Sequence, residues 1–351
     1  MKLAAYGFTP DLLPPGTPGT PARVTAVHRE RYELVCAAGF THGRLKRSAY
    51  EAGQADTPTV GDYVIIDDNP LGDSMIPQTL PRKSFFSRRS AHAGRGGQAV
   101  AANFDHVFIL QSLNRDLNLR RLERYLTLAW DSGGMPVVLL TKADLKTDIA
   151  AITRQVGAVA TGAPVIAVSA VTGQGLEDLQ AYLQPGRTIV LLGSTGVGKS
   201  TLVNTLSGQD VMAVREIRED DSRGRHTTTH RQLILLPGGA MLIDTPGMRQ
   251  MGMWDVDGGL DESFADVTQY LGQCRFDDRS HASEPGCAIL AAIADGALPP
   301  DRWESYQRLK DEARYADDRA AYLKEKSQWH KEIAKRTRQH EEDAKKHGGK
   351  W

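Results

Sequence analysis

Gly193-Ser-Thr-Gly-Val-Gly-Lys-Ser200 has the pattern G-x-x-x-x-G-K-S, between an apolar run and a helix-forming segment. The apolar run at 188–192 predicts a buried strand, and residues 201–206 suit the first turns of a helix. Because strand, glycine loop and helix follow in that order, the stretch predicts a phosphate-binding loop. The alternative is a glycine-rich turn with a solvated lysine, which this context disfavours.

Every residue of this loop is a candidate nucleotide contact. The candidates are Gly193, Ser194, Thr195, Gly196, Val197, Gly198, Lys199, Ser200 and the following Thr201. The glycines let backbone N–H groups converge on phosphate oxygens. Lys199 would reach the β- and γ-phosphates and is a candidate catalytic residue, while the Ser200 hydroxyl would bind Mg²⁺. The loop alone predicts a nucleoside triphosphate without naming the base.

Two short motifs upstream of the loop indicate guanine, and each follows an apolar, strand-like run. In Thr141-Lys142-Ala-Asp144 the Asp144 carboxylate can accept from N1–H and N2–H₂ of guanine, whereas an adenine would leave it unpaired. Lys142 can lie along the base and the loop. Ser169-Ala170 would offer backbone N–H groups to guanine O6. Thr141 stands where most GTPases have asparagine, and we expect this change to weaken one structural tie.

Two further motifs downstream are typical of γ-phosphate-sensing switches. Residues 225–229, Arg-His-Thr-Thr-Thr, form a polar loop that can supply a threonine ligand to Mg²⁺, for which we take Thr228 as the middle of the run. In Asp244-Thr-Pro-Gly247, Asp244 would hold Mg²⁺ through water and the Gly247 N–H would contact the γ-phosphate. The predicted Mg²⁺ site thus comprises Ser200, Thr228 and Asp244, and the nucleotide is GTP.

The residue after this second motif, Met248, is apolar where many GTPases carry a water-positioning glutamine. We therefore expect slow intrinsic hydrolysis. His226 in the switch loop is the candidate for orienting water, and Arg249 is a weaker one. A loop histidine that contacts only solvent or a partner is the other interpretation of His226.

The order of the motifs is unusual, because the two guanine motifs precede the phosphate loop. The GTPase domain is therefore predicted to be circularly permuted, which is permitted when the original termini lie close together at the surface. As a consequence, the switch at Gly247 leads directly into the C-terminal cysteine/histidine region, so nucleotide state can be passed to that region.

We predict an α/β multidomain chain with a leader and three parts. Residues 1–20, rich in proline, glycine and threonine, are predicted to be a flexible leader. Several short strands in 21–80 favour an OB-fold β-barrel. In 81–255, which begins with a basic connector, alternating apolar and amphipathic segments predict a doubly wound parallel sheet carrying the permuted P-loop GTPase domain. Residues 256–351 are predicted to be a cysteine/histidine and helical region with a basic tail.

Composition restricts partners and location. The 351 residues carry 43 basic and 43 acidic side chains, so any nucleic-acid surface must be local. The barrel region offers one, although a solvated barrel surface explains the same residues: Arg23, Arg29, Arg31, Arg44, Lys46 and Arg47, with Tyr32, Phe40 and Tyr50. Without a signal-peptide pattern or a membrane-length apolar run, we expect a cytoplasmic protein. Three cysteines favour reduced thiols or a metal site.

As a set, these motifs and several others resemble one family closely. The further matches are Gly61-Asp-Tyr-Val64, Leu80-Pro-Arg82, residues 98–105, residues 118–126 and Glu284-Pro-Gly-Cys287. The chain resembles the RsgA (YjeQ) family of ribosome small-subunit-dependent GTPases from about residue 22 to about residue 321. The resemblance implies an OB-fold, a permuted GTPase domain and a mostly helical, zinc-binding C-terminal domain. It also implies a role in late maturation of the small (30S) ribosomal subunit, with hydrolysis of GTP to GDP and phosphate stimulated by that subunit, and it implies the subunit and its rRNA as partners. We expect a monomer outside that complex.

One departure from the family pattern concerns zinc. Cys274, His281 and Cys287 occupy three places of the family's ligand pattern, but Arg279 stands at the second cysteine. A structural zinc normally has four protein ligands, and a guanidinium is a poor neighbour for it. An oxygen ligand from a nearby acidic side chain (Asp277, Asp278 or Glu284) or a water could complete the site. Alternatively, no zinc is tightly bound and Arg279 pairs with an acidic side chain, which is the prediction we favour.

Three other functions remain open at this point. One is a permuted GTPase that acts on the large subunit, although the barrel and the cysteine/histidine region fit the small-subunit family better. Another is a nucleotide-responsive RNA-binding assembly chaperone in which turnover is incidental. An ATPase is disfavoured by Asp144.

Overall fold

The computed structural model describes residues 2–28, 31–45, 57–88, 98–114, 117–212, 231–244, 257–271, 273, 281 and 286–317. Within these ranges, no helix is long and apolar enough to cross a membrane.

The N-terminal residues differ from the predicted flexible leader. A short helix, α1 (Lys2–Ala5), and a 3-10 turn at Pro10–Leu12 lie against the barrel. Leu3 and Tyr6 are buried in the main hydrophobic core. These two apolar side chains outweigh the turn-forming composition that predicted a leader, so the first residues are part of the packed structure.

Five strands form the predicted barrel. They are β1 (Thr20–His28), β2 (Arg31–Cys36), β3 (Phe40–Leu45), β4 (Tyr63–Asp67) and β5 (Ser74–Thr79). The strands pair in the order β1-β2-β3-β5-β4, and β4 returns to pair with β1. This closed five-stranded barrel is the architecture expected of an OB-fold.

The segment predicted as a basic connector contains a hairpin of its own. Strands β6 (Phe85–Arg88) and β7 (Gln98–Ala102) pair antiparallel. Phe86 stacks on Phe104, with ring centroids 4.8 Å apart. Because Phe86 of β6 and residues 99–102 of β7 are buried, this part of the chain is a structured joint between the barrel and the next sheet.

The second sheet is the predicted doubly wound one. Its strands are β8 (His106–Ser112), β9 (Met135–Thr141), β10 (Val165–Val168), β11 (Thr188–Leu192), β12 (Arg231–Leu235) and β13 (Met241–Asp244). They lie in the order β10-β9-β8-β11-β13-β12, and all adjacent pairs are parallel except β13 and β12. The antiparallel pair β12–β13 is a hairpin.

Helices cover both faces of this sheet. They are α2 (Leu119–Asp131), α3 (Ile149–Gly157) and α4 (Lys199–Ser207). Val107 packs in the core cluster that contains α2, whereas its neighbour Phe108 packs in the cluster that contains Leu202 of α4. This alternation follows from the two-residue period of a strand buried on both faces. Between β10 and β11 the chain forms a 3-10 segment, Glu177–Ala181, rather than an α-helix.

The C-terminal helices are fixed to α2. They are α5 (Asp257–Ser263), α6 (Ala265–Leu271), α7 (Ala288–Ala294) and α8 (Pro300–Asp317). Arg302, almost fully buried, donates from Nη1 to Glu123 Oε1 at 2.8 Å and from Nε to Asp266 Oδ2 at 2.9 Å. The predicted basic tail, from residue 318 onward, lies outside the described residues.

A buried arginine joins the barrel to the second sheet. Arg23 of β1 is fully buried and donates to the carbonyls of Tyr6, Gly61 and Asn103 and to the Thr188 hydroxyl. Burial lowers the pKa of Arg23 below its ordinary value. We call the region formed by Arg23 and these four partners, together with the adjoining β6–β7 hairpin, the barrel-to-sheet joint. The prediction that Arg23 belongs to an exposed nucleic-acid face is wrong, because this joint encloses its guanidinium.

The other predicted nucleic-acid residues differ in exposure. Tyr32 is buried in the barrel core and is also not part of a binding face. Phe40 is 67% exposed, and Arg31 and Arg44 both pair with Asp73 at the surface. The remaining predicted residues, Arg29, Lys46, Arg47 and Tyr50, lie outside the described residues.

Candidate nucleotide site

The phosphate loop has the predicted strand, loop and helix. Strand β11 ends at Leu192, and α4 begins at Lys199. Gly196 and Gly198 adopt the left-handed backbone conformation, with φ of 77° and 101°. A Cβ at Gly193 would lie 2.9 Å from the Leu110 carbonyl oxygen. The glycines are therefore required for the turn and for its close contact with β8.

The lysine of the loop is held over the loop's own backbone. Lys199 Nζ donates to the Gly193 and Ser194 carbonyls, each at 2.7 Å. Its ammonium thus lies at the start of α4, where the helix N-terminus favours anionic groups. This concentration of positive potential is what a triphosphate requires.

A side chain of the guanine motif contacts the phosphate loop directly. The buried Thr141 hydroxyl lies 2.6 Å from the Val197 carbonyl oxygen and 3.4 Å from the Gln111 carbonyl oxygen. We expected threonine, in place of the usual asparagine, to weaken one structural contact at this position. The structure shows a short hydrogen bond there. The base-reading loop and the phosphate loop are therefore connected by one side chain.

The two predicted base-reading loops lie side by side. Strands β9 and β10 pair in parallel with Thr141 opposite Val168, so Lys142 and Ser169 leave the same edge of the sheet. Asp144 is exposed at that edge. The Ser169 N–H donates to the Gln174 carbonyl at 2.9 Å, so of the two predicted N–H groups only that of Ala170 stays a candidate for guanine O6. The Thr205 hydroxyl of α4 bonds to the Ala170 carbonyl at 3.2 Å.

The predicted magnesium residues in the described part of the chain fit a hard cation. Asp244 ends β13 and is 5% exposed, and Ser200 lies in the first turn of α4. Because β13 runs parallel to β11, with Ile243 opposite Val190, Asp244 and the phosphate loop lie at the same edge. A carboxylate and a hydroxyl are the oxygen ligands that Mg²⁺ prefers.

Several predicted residues lie outside the described part of the chain. These are His226, Thr227, Thr228, Thr229, Gly247, Met248 and Arg249 of the predicted switches, and Cys274, Asp277, Asp278, Arg279 and Glu284 of the predicted zinc region. Their roles stay predictions.

Two zinc candidates are brought together. His281 Nδ1 lies 3.3 Å from Cys287 Sγ, and the His281 ring meets the Trp303 ring edge-on at 5.4 Å. With Zn–N and Zn–S bonds of about 2.0 and 2.3 Å, two ligands of one tetrahedral zinc lie about 3.5 Å apart. The pair therefore fits one metal ion, although the described residues contain no group of three His, Cys, Asp or Glu that could hold a metal.

Sequence reasoning missed one residue that positions the start of the switch segment. Asn204 of α4 accepts from the Met212 N–H and donates to the Met212 carbonyl, both at 2.8 Å. Met212 is the last described residue before the predicted switch loop. No short motif contains Asn204, and only its place on the helix face toward the loop reveals the role.

The fold and the site together define a class. The loops predicted to read guanine, on β9 and β10, precede a phosphate loop on β11, and all of them meet at one edge of a doubly wound sheet. The molecule is a circularly permuted P-loop GTPase.

Comparisons with known proteins identify the family. The family model RsgA GTPase matches residues 79–254. The small ribosomal subunit biogenesis GTPase RsgA 2 of Lactiplantibacillus plantarum is 47% identical, over 84% of this chain and 83% of its own. RsgA 1 of Listeria innocua is 44% identical, over 97% of this chain and 98% of its own. The chain belongs to the RsgA family of small ribosomal subunit biogenesis GTPases, as the motifs indicated.

Solved structures agree on the fold. YjeQ from Thermotoga maritima covers 83% of this chain and 96% of its own, with a TM-score of 0.62 and 24% identity. YloQ, described as a circularly permuted GTPase, covers 87% of this chain and 99% of its own, with a TM-score of 0.60 and 22% identity. Both carry a fold like the one described above.

Proposed function

We propose that this chain hydrolyses GTP to GDP and phosphate on the small (30S) ribosomal subunit late in its maturation, and that hydrolysis drives its release. The observation that carries the proposal is the connected nucleotide edge, where one threonine joins the guanine motif to the phosphate loop. The names of the similar proteins support the ribosomal role.

The geometry of that edge supports the predicted nucleotide contacts. Asp144 would accept from guanine, and Lys199 would pair with the β- and γ-phosphates. Ser200, Thr228 and Asp244 would hold Mg²⁺, which supplies charge neutralisation at the phosphates when bound. Since Lys199 is already held at the start of α4, it needs little reordering to meet a triphosphate.

Catalysis alone is proposed to be slow. Met248 offers no polar group to the attacking water, and His226 is the proposed replacement. Docking on the subunit would order the switch and place His226. This dependence makes the subunit and its rRNA the activating partners, in keeping with the expected cytoplasmic location and monomeric state.

The domain division stays part of the proposal. The barrel, 21–80, would contact rRNA, with Arg31 and Arg44 its described basic surface residues. The GTPase domain would comprise 81–255, and 256–351 the helical, cysteine/histidine part. His281 and Cys287 fit a zinc, but Arg279 disfavours tight binding, so metal analysis of protein purified without added zinc would decide this point.

The test is GTP turnover with and without purified small subunits. We expect slow turnover alone and a strong increase with small subunits, with large subunits and ATP as controls that give none. Equal rates with and without small subunits would overturn the proposal. RNA binding by Lys199→Ala that equals the wild type would favour an assembly chaperone with incidental turnover instead.

A further inference from the structure

The barrel and the nucleotide sheet form one continuous sheet. Strand β1 of the barrel pairs antiparallel with β12, with Ala26 opposite Gln232 and Val27 opposite Arg231. On its other side, β12 pairs with β13, and Gln232 lies opposite Asp244. Ala26, Gln232 and Asp244 therefore lie on one line across three neighbouring strands. Two strand spacings make this line about 10 Å long.

Two side-chain contacts tie the β12–β13 hairpin to neighbouring strands, one at each end of the hairpin. At the end near the switch segment, Arg231 Nη1 donates to the Ala99 carbonyl of β7 at 2.6 Å. At the opposite end, Arg23 of β1 reaches Met241 Sδ, at the start of β13, at 3.2 Å. Strand β1 of the barrel and strand β7 thus hold the β12–β13 hairpin at both of its ends.

We propose that the barrel is a structural part of the magnesium side of the nucleotide site, with Arg231 a positioning residue for Asp244. This inference rests on the proposed Mg²⁺ role of Asp244. Without β1, strand β12 would be an edge strand held by β13 alone, and edge strands open most readily. Pairing with β1 keeps β12, and through it the end of β13, at a fixed register.

The proposal has a reciprocal consequence. If β1 stabilises the magnesium-competent position of Asp244, then binding of GTP with Mg²⁺ stabilises the β1–β12 pairing by the same factor. A partner that binds the barrel next to β1 would therefore change the affinity for nucleotide. Nucleotide would change the affinity of the barrel for that partner by the same factor.

The experiment compares three variants of the full chain. Arg231→Met removes the bond to Ala99, Arg231→Lys keeps a cation there, and Arg187→Met is the control. Arg187 precedes the neighbouring strand β11 at the opposite edge and pairs with Asp105, away from the site. The Kd of a fluorescent GDP and GTP is measured with Mg²⁺ and with EDTA.

We expect the Mg²⁺-dependent gain in GTP affinity to fall about tenfold in Arg231→Met, a coupling of ordinary size. Affinity in EDTA should stay unchanged, Arg231→Lys should recover part of the gain, and Arg187→Met should equal the wild type. A wild-type Mg²⁺ gain in Arg231→Met would overturn the inference. If wild-type chain bound no GTP at all, the proposed function would fail instead.

Hydrogen exchange on the wild type keeps the inference testable should Arg231→Met fold poorly. Neighbouring amides of a strand point to opposite sides, so only one of the Ala26 and Val27 amides faces β12, and that amide should exchange more slowly with GTP and Mg²⁺ than with GTP and EDTA. Identical exchange in both conditions would contradict the coupling.

Discussion

The nucleotide edge and the barrel-to-sheet joint are both built from short polar motifs, but the two regions use them in opposite ways. At the nucleotide edge Asp144 is exposed and Lys142 half-buried. At the joint Arg23 and Asp62 are fully buried, and Asp62 bonds to Arg82 Nη2 at 2.8 Å. Accessible polar groups at the edge can meet a ligand, whereas the enclosed groups of the joint are satisfied by the protein itself.

The difference shows what a motif alone can and cannot mean. The motifs Gly61-Asp62 and Leu80-Pro-Arg82 point to the family no less than the guanine motif does. Their residues, however, hold the barrel against the second sheet and are not predicted to bind a ligand. Gly61 has φ of 93°, and a Cβ there would lie 2.1 Å from the Ala102 carbonyl oxygen. A motif that joins domains differs from one that binds a ligand in its burial and its hydrogen-bond partners, and these are known only from the structure. The predictions below test that separation, from the largest expected effect to the smallest.

Arg23→Met should give the largest loss of stability. It leaves the carbonyls of Tyr6, Gly61 and Asn103 buried with fewer donors, so we expect the free energy of unfolding to fall by about 3–5 kcal/mol. Denaturant unfolding measures this. Arg31→Met, at the barrel surface, is the matched control and should cost less than about 1 kcal/mol. Similar losses in both variants would mean that the joint does not depend on its buried arginine.

Lys199→Ala should lower the affinity for nucleotide and leave the stability of the fold nearly unchanged. We expect GTP affinity to fall about 100-fold, about 2.7 kcal/mol, while the free energy of unfolding changes little. Lys146→Ala, an exposed lysine beyond the guanine motif, is the control and should bind GTP normally. Calorimetric titration and denaturant unfolding, run on the same samples, separate affinity from stability. If Lys199→Ala lowered GTP affinity and the free energy of unfolding together, Lys199 would be a residue that stabilises the fold, as Arg23 does.

Thr141→Val tests the contact between the two halves of the nucleotide edge. Loss of the hydroxyl should lower affinity for GDP and GTP about tenfold, since a buried carbonyl of the phosphate loop loses its donor. Thr141→Ser retains the hydroxyl and should bind within about twofold of the wild type. Equal affinities for the valine and serine variants would show that the hydrogen bond does not position the loop.

Asp105 gives the smallest effect, a pH dependence of the joint. Burial raises the pKa of Asp105, but hydrogen bonds from Lys83, the Thr188 N–H and Arg187 outweigh it, so its pKa lies below the ordinary value. A carboxyl with a lowered folded-state pKa stabilises the fold above its unfolded pKa of about 3.9, and this contribution is lost as pH falls further. Asp105→Asn should therefore flatten the acid end of the stability profile. Parallel profiles for both proteins would contradict this.

Much of the fold could be predicted because it rests on local patterns. Strand β11 has the bounds that its apolar run predicted, residues 188–192. The first residues, the β6–β7 hairpin and the buried state of Arg23 could not, since each depends on long-range contacts. The mixed polar and apolar run at 23–28 predicts a strand, but nothing in it reveals that its arginine points into a joint with residues 80 and 165 positions away.

The site divides in the same way. Spacing and residue type predicted the phosphate loop and Asp144, because each belongs to a short motif of consecutive residues. The contacts of Thr141 with Val197 and of Asn204 with Met212 join segments whose separation in sequence carries no signal. The switch residues of 213–230 and 245–256, which lie outside the described residues, remain predictions from sequence.

The central claim is that nucleotide state controls docking on the small subunit. The most direct test is co-sedimentation of the full chain with purified small subunits, in GDP and in a non-hydrolysable GTP analogue. The account predicts stable association with the analogue and release with GDP. Equal association in the two nucleotides would contradict it.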